Sequence, residues 1–210
     1  PRGSGNSFIR DFQIYDLEGA LASFKKYREI NADVLLVESL AGQFRWYCLN
    51  VVGMGFISDI AGRVVHYKKK LGALSYVLGV VLTLGKMRPY KIKMLYNHGQ
   101  DSFESDKAYF LTFSNSQYTG GSTMIAPHAS VDDGLMDAIV LHDINRFQFL
   151  KGFIKAFKGG HIYEKGCFYF KTDQITIEST PALKIMPDGE LEGESPAKIT
   201  VIPGQIKIVL

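Results

Sequence analysis

Two acidic stretches built around a glycine have the residue types best suited to chemistry: Asp188-Gly189-Glu190 in IMPDGELEGES and Ser130-Val131-Asp132-Asp133-Gly134-Leu135. A carboxylate on a rigid hairpin end accepts a hydroxyl proton or holds a metal, and two acids flanking one glycine allow one residue for each task. Paired aspartates before a glycine present side-chain oxygens while neighbouring carbonyls turn inward, an arrangement suited to a hard cation. Asp-Gly is also a strong turn signal, so both stretches read equally as plain turns between strands.

Two glycine-rich stretches accompany them. Gly3-Ser4-Gly5-Asn6, followed by an apolar helix-like run, has the form of a turn that hands a phosphate-binding loop to a helix. In NSQYTGGSTMIAP (Asn115–Pro127), Gly120-Gly121 permits unusual backbone angles or close approach, and Pro127 fixes the exit. The five histidines, His66, His98, His128, His142 and His161, are scattered without ligand spacing and read as surface or packing residues. Cys48 and Cys167 stand far apart, outside any C-x-x-C pattern, which suggests neither zinc nor a disulfide framework and fits a reducing compartment.

Elements able to hold these stretches follow from periodicity. DLEGALASFKKYREI predicts a helix capped by Asp16, with Leu17, Ala20, Leu21 and Phe24 at helical spacing. Val34–Leu40 and Phe44–Val52 predict two strands around the tight turn Ala41-Gly42-Gln43. Helix-like segments follow over Ile57–Tyr67 and Leu71–Leu84, and then strands dominate: Tyr90–Tyr96, Lys107–Asn115, Met136–Asp143, FYFKTDQITIES, ALKIM, AKITVI and QIKIVL. One helix interrupts them, NRFQFLKGFIKAF, capped by Asn145 with Phe147, Leu150, Phe153, Ile154 and Phe157 on one side. Short strands separated by Asp-Gly, Gly-Gly and Pro-Gly turns predict an antiparallel sandwich or barrel.

The chain of 210 residues has 46% hydrophobic residues, enough to bury a sizeable core. Its net charge of +3 gives no global field that would favour nucleic acid. Locally, Lys68-Lys69-Lys70 abut the uncharged Leu71–Leu84, which is shorter than the ~20 residues a bilayer span requires. That pair reads as a buried helix entered from a lysine turn, or as a surface helix meeting anionic lipid.

The order and spacing of these motifs carry more information than any one of them. G-S-G-N-S-F, N-V-V-G-M-G-F, N-x4-G-G-x3-I-A-P-x-A-x-x-D-D-G-x-x-D, D-G-E and a closing P-G-x-I-x-I-x-L together resemble the second half of the diacylglycerol kinase and sphingosine kinase superfamily, in its bacterial lipid-kinase branch. The resemblance covers essentially the whole chain and is most specific at Ile125–Asp137 and Asp188–Glu190. Departures fall on packing positions: Gly120-Gly121-Ser122 replaces a frequent run of three glycines, and Val52 stands where a smaller residue is common.

This resemblance implies a mainly β protein with some α, an antiparallel β-sandwich over residues 31–210 preceded by a remnant of an α/β nucleotide-binding domain over residues 1–30. The G-G-D-G loop of that first domain does not occur in the sequence. The implied activity is transfer of a phosphoryl group from ATP to a lipid alcohol, with this chain as the acceptor side. Glu190 matches the proton acceptor, and Asp188 lies close enough to contest that role. Asp133, with the carbonyls of Ser130 and Leu135, matches a structural magnesium (Mg2+) position, and Gly3, Ser4, Gly5 and Asn6 match the edge of the ATP site. The expected partners are a lipid alcohol and ATP, with a homodimer and peripheral membrane contact left open, in the cytoplasm. The alternative is a lipid-binding or regulatory sandwich that uses the fold without catalysis. A nicotinamide-nucleotide kinase suits the D-D-G and D-G-E pattern less well.

Overall fold

The structure is a computed structural model and describes residues 6–59 and 84–210. A 3-10 turn over Phe8–Phe12 and helix α1 (Leu17–Lys26) precede the strands β1 (Glu29–Ser39), β2 (Arg45–Cys48) and β3 (Val51–Gly55). After residue 84 come β4 (Tyr90–Tyr96), β5 (Asp101–Ser114), the small ribbon of β6 (Tyr118–Thr119) and β7 (Thr123–Met124), and β8 (Met136–His142). Helix α2 (Arg146–Ala156) leads to β9 (Cys167–Thr172), β10 (Gln174–Thr180), β11 (Ile185–Pro187) and β12 (Ala197–Val209).

All the strand pairings among the described residues are antiparallel. Among the described residues ten strands form one sheet: eight run in the order β11-β3-β5-β4-β10-β12-β1-β2, and off this path β8 pairs with both β5 and β9. The long strand β5 makes the fold two-layered. Its first half pairs with β4, while its second half lies between β3 and β8. One layer therefore contains β4, β10, β12, β1 and β2, and the other contains β11, β3, β8 and β9. Leu35 and Val37 of β1, Ile92 and Met94 of β4, Leu111 and Phe113 of β5, and Ile175 and Ile199 meet between the layers in a shared buried core. The antiparallel sandwich expected from strand length and turn residues is what forms, and its two terminal strands, β2 and β11, come together at one corner.

The outer face of the second layer is apolar as well. Ile139 and Leu141 alternate outward along β8 and are covered by Phe149 of α2, with Phe56 and Phe110 packing edge-on around its ring. Asn145 caps α2 with a reciprocal capping box to Gln148, as its sequence requires. The face turned inward matches the expected one only in part. Phe149, Gly152 and Ala156 are buried and Leu150 and Phe153 of the expected face pack partly buried beside them, whereas Phe147 and Ile154 are exposed. Helix α1 forms where expected with Asp16 as its cap, but none of its residues is buried and Leu17, Leu21 and Phe24 face outward.

Several element boundaries also differ from expectation: α1 ends at Lys26 and the end of the expected helix, Glu29-Ile30, opens β1, while β5 begins at Asp101 and β11 is Ile185–Pro187. Phe44–Val52 is two strands: β2 pairs with β1, the chain turns at Leu49-Asn50, and β3 joins the other layer. The run 168–179 breaks at Asp173 into β9 and β10. Pro203-Gly204 is not a turn between strands, since β12 continues through it and β1 shifts register opposite, between Ala32 and Val34. That irregularity places Asp33 with its side chain directed into the fold.

Candidate active site

The Asp188 turn is tied to the corner where β2 gives way to β3. Asp188 and Gly189 both have positive φ, 47° and 96°, and the Glu190 amide donates to the Pro187 carbonyl at 3.0 Å. This is the type I′ signature that Asp-Gly favours. The Asp188 carboxylate accepts three successive backbone amides, from Leu49 at 2.8 Å, Asn50 at 2.9 Å and Val51 at 3.2 Å. The Cys48 thiol also donates to it, at 3.2 Å. Three converging amides form an anion cradle of a kind that elsewhere binds phosphate, and here a side-chain carboxylate fills it. Burial, and then the neighbouring Asp188 charge, push the Cys48 thiol well above the usual range, so it stays a thiol and donates. Glu190 follows two residues later, exposed, and its carboxylate makes no hydrogen bond or ion pair among the described residues.

The Asp133 turn is held from the opposite direction. Asp33, only 2% exposed, accepts the Gly134 amide on Oδ2 at 2.7 Å and the Gly204 amide on Oδ1 at 2.8 Å, while its own amide donates to the Val131 carbonyl at 2.7 Å. Within the turn, Ser130 Oγ donates to Asp132 Oδ1 at 2.7 Å and the Leu135 amide donates to Asp133 Oδ1 at 3.1 Å. Asp133 Oδ2 receives the Lys171 ammonium at 2.8 Å. Asp137, fully buried beneath, accepts the Tyr169 hydroxyl and lies 3.4 Å from Lys171 Nζ. Burial raises the Asp137 pKa, opposed by the Tyr169 hydrogen bond and the Lys171 charge.

Asn115 joins the two turns. It is fully buried at the end of β5, and its side-chain amide donates at 2.9 Å both to the Asp33 carbonyl and to the Leu49 carbonyl. Its backbone amide donates to the Asn50 carbonyl, also at 2.9 Å. One continuous frame therefore runs from the Asp133 turn through Asp33 and Asn115 to the 49–51 corner and the Asp188 turn. Asp33 was not singled out in the sequence, where it lies inside a strand pattern. The signal that would have found it is a charged residue within the otherwise buried run ADVLLV.

The glycine-rich stretches border the same region. The Gly121 amide donates to Ser7 Oγ at 2.9 Å, and the Gln117 amide donates to Asp11 Oδ1 at 2.7 Å, joining the start of the chain to the 115–127 loop. A cleft of about 460 Å³ lies between them, with Asp11, Lys26, Arg28, Gln117, Ser130 and Asp132 on its walls. Asn6 is described, with left-handed φ of 49°. Gly3, Ser4 and Gly5 lie outside the described residues, as do Lys68–Lys70 and nearly all of Leu71–Leu84. Under α2 a narrow apolar cavity of about 40 Å³ is bounded by Ile57, Phe110, Leu141, Phe149, Phe153 and His161. Among the described residues no helix is long and apolar enough to cross a membrane.

An antiparallel sandwich with two acidic turns braced by one polar frame defines a class of domain before any relative is considered. Residues 50–210 match the YegS C-terminal NAD kinase beta sandwich-like domain, and the chain belongs to that family. It is 27% identical over 166 residues to a diacylglycerol kinase of Bacillus subtilis (strain 168), a match covering 78% of this chain and 54% of that protein. It is 26% identical over 219 residues to a protein of Stenotrophomonas maltophilia (strain K279a) named as a YegS-like lipid kinase, covering 100% of this chain and 67% of the relative. Among solved structures, a diacylglycerol kinase from Bacillus anthracis str. Sterne superposes with a TM-score of 0.67 at 20% identity, over 99% of this chain and 64% of that one. The chain thus spans between about half and two thirds of the length of these relatives.

Proposed function

We propose that this chain is the acceptor-side half of an ATP-dependent lipid kinase of the diacylglycerol kinase type, in which Glu190 takes the proton of the lipid hydroxyl. The observation that carries this reading is the contrast within one turn. Asp188 has its carboxylate filled by three backbone amides and a thiol, while Glu190, two residues on, has an exposed carboxylate without a partner among the described residues. Asp188 is then a positioning residue and Glu190 the base.

In phosphoryl transfer, positioning and charge stabilisation do most of the work. The lipid hydroxyl oxygen forms a bond to the γ-phosphorus, the bond from that phosphorus to the bridging oxygen breaks, and ADP leaves. The hydroxyl proton goes to the Glu190 carboxylate, which must lie within hydrogen-bond reach of it, and the anchored turn limits how far that carboxylate can wander. The cavity under α2, at about 40 Å³, is too small for an acyl chain, but the exposed apolar surface of α2 at Phe147 and Ile154 suits contact with one, which gains from burial at about 25 cal/mol per Å². The cleft walled by Lys26, Arg28 and Ser130 adjoins the chain segment whose Gly3–Asn6 motif is the expected edge of the ATP site.

The implied magnesium position is less well matched. Asp133 Oδ2 carries an ammonium and Oδ1 an amide, so the residues as arranged do not fit a divalent ion, and no step is routed through one. The test of the reading is transfer of labelled phosphate from ATP to a panel of lipid alcohols by the full-length protein containing this chain. Glu190→Gln should lower kcat by about 10²–10⁴-fold. Full activity in that variant would overturn the assignment and favour the non-catalytic lipid-binding alternative for this half.

A further inference from the structure

Between β8 and β9, Asp137 and Lys171 are direct cross-strand partners, and Tyr169 lies two residues along on the same face of β9 as Lys171. The Asp137 side chain is wholly buried, while those of Asp133 and Lys171 are 28% and 30% exposed. Lys171 Nζ reaches both carboxylates, at 2.8 Å and 3.4 Å, and the Tyr169 hydroxyl takes the remaining oxygen of Asp137. Two carboxylates brought this close repel unless a cation stands between them, and removing one member of such a partly buried set leaves an uncompensated charge.

We propose that Lys171 is the resident cation of the D-D-G turn, its ammonium neutralising Asp133 and Asp137 and fixing the turn without a divalent ion. Magnesium demands near-octahedral oxygen ligation at about 2.0–2.1 Å and gives up its water reluctantly. An ammonium brings three donors with looser geometry, and a strand-borne lysine delivers them without any ion having to bind. A divalent ion on Asp133 Oδ2 would stand beside this ammonium and be repelled by it. The inference does not depend on Glu190 being the base, since it concerns only the cation at the Asp133 turn.

The test uses Mn2+ as an electron-spin probe, added to the full-length protein without nucleotide, together with thermal melts in EDTA and in millimolar Mg2+. The wild type should melt at the same temperature in both, and any Mn2+ bound should be unaffected by Asp133→Asn. Lys171→Met should melt several degrees lower in EDTA and bind Mn2+ at least about tenfold more tightly than wild type in an Asp133-dependent way, whereas Lys171→Arg should behave as wild type. A wild-type melt that rises with Mg2+ and loses the rise in Asp133→Asn would overturn the proposal. So would wild-type Mn2+ binding that is abolished by Asp133→Asn, a result that stands even if Lys171→Met fails to fold.

Discussion

Asp33 Oδ2 accepts the amide of Gly134 at 2.7 Å, joining residues 101 positions apart in the chain. Its other oxygen holds Gly204, so one buried carboxylate sets the height of the D-D-G turn against the irregularity of β12. Asp33→Ala would leave both amides without their charged acceptor, at a cost of about 3 kcal/mol. Asp33→Asn keeps an acceptor for only one of them and should cost about half as much. Urea midpoints of the two variants check the order, and an Asp33→Ala midpoint equal to wild type would count against this bracing role.

Asp188 and Glu190 should separate cleanly. Asp188→Asn loses charge-assisted bonds to the 49–51 amides and should lower stability by about 2 kcal/mol. Glu190→Gln removes no contact found among the described residues and should stay within about 0.5 kcal/mol of wild type. Melting curves for both, set beside phosphate transfer by the full-length protein, distinguish a positioning residue from a base. If Glu190→Gln proves the less stable of the two, these roles are reversed.

Acid should act through His161. Burial pulls its pKa down from 6.5 to about 4, so between these values the unfolded chain takes up a proton that the folded protein refuses. Its contribution is complete above the unfolded value and is lost as pH falls through that window, by about 3 kcal/mol in all. Asp11 runs the other way. Burial raises its pKa from 3.8 to about 6, so the folded protein keeps a proton that the unfolded chain releases, and this contribution falls as pH rises between the two values. His161→Phe should remove this acid-side loss, leaving Asp11 and Asp137, both raised by burial, to make the urea midpoint decline as pH rises through their range. A variant with the same pH profile as wild type would exclude His161 as the acid-sensitive group.

Gly55 closes β3 with φ of +80°, and an added Cβ would stand 2.7 Å from the Tyr109 carbonyl oxygen. Gly55→Ala therefore combines backbone strain with a clash against a central strand, and should cost at least about 2 kcal/mol. Gly42→Ala, at the β1–β2 turn, shares the positive φ but meets no atom within 4 Å, so it should cost less. Comparing their melting temperatures isolates the contribution of the close approach.

Much of this architecture was legible because strand signals here are local. Tyr90–Tyr96 alternates cleanly and is β4, and Asn145 with Gln148 announces the start of α2. Legibility failed where a long-range partner decides the outcome. Nothing near Leu49-Asn50 says that the strand must break, because the break is made by a carboxylate 138 residues away. Pro203-Gly204 looks like a turn until β1 is known to lie beside it with Asp33 directed at Gly204. At the site, the acidic turns stood out by residue type, whereas Asp33 and Lys171 did not, since a lone charge in a strand reads locally as a solvated residue.

The pairing of β1 with β12, from Glu29 opposite Val209 to Ser39 opposite Ala197, also sets an order of assembly. β1 is the first of the described strands to leave the ribosome, yet it gains its long neighbour only when the last of them has emerged. Until then its apolar stretch Val34–Val37 has only the short β2 beside it, and β10 has β4 on one side but an open edge on the other. Such widely separated pairings slow folding and leave sticky edges exposed during synthesis. Chaperone dependence during translation, and early aggregation of chains stalled before β12, are the cellular signs this topology should leave.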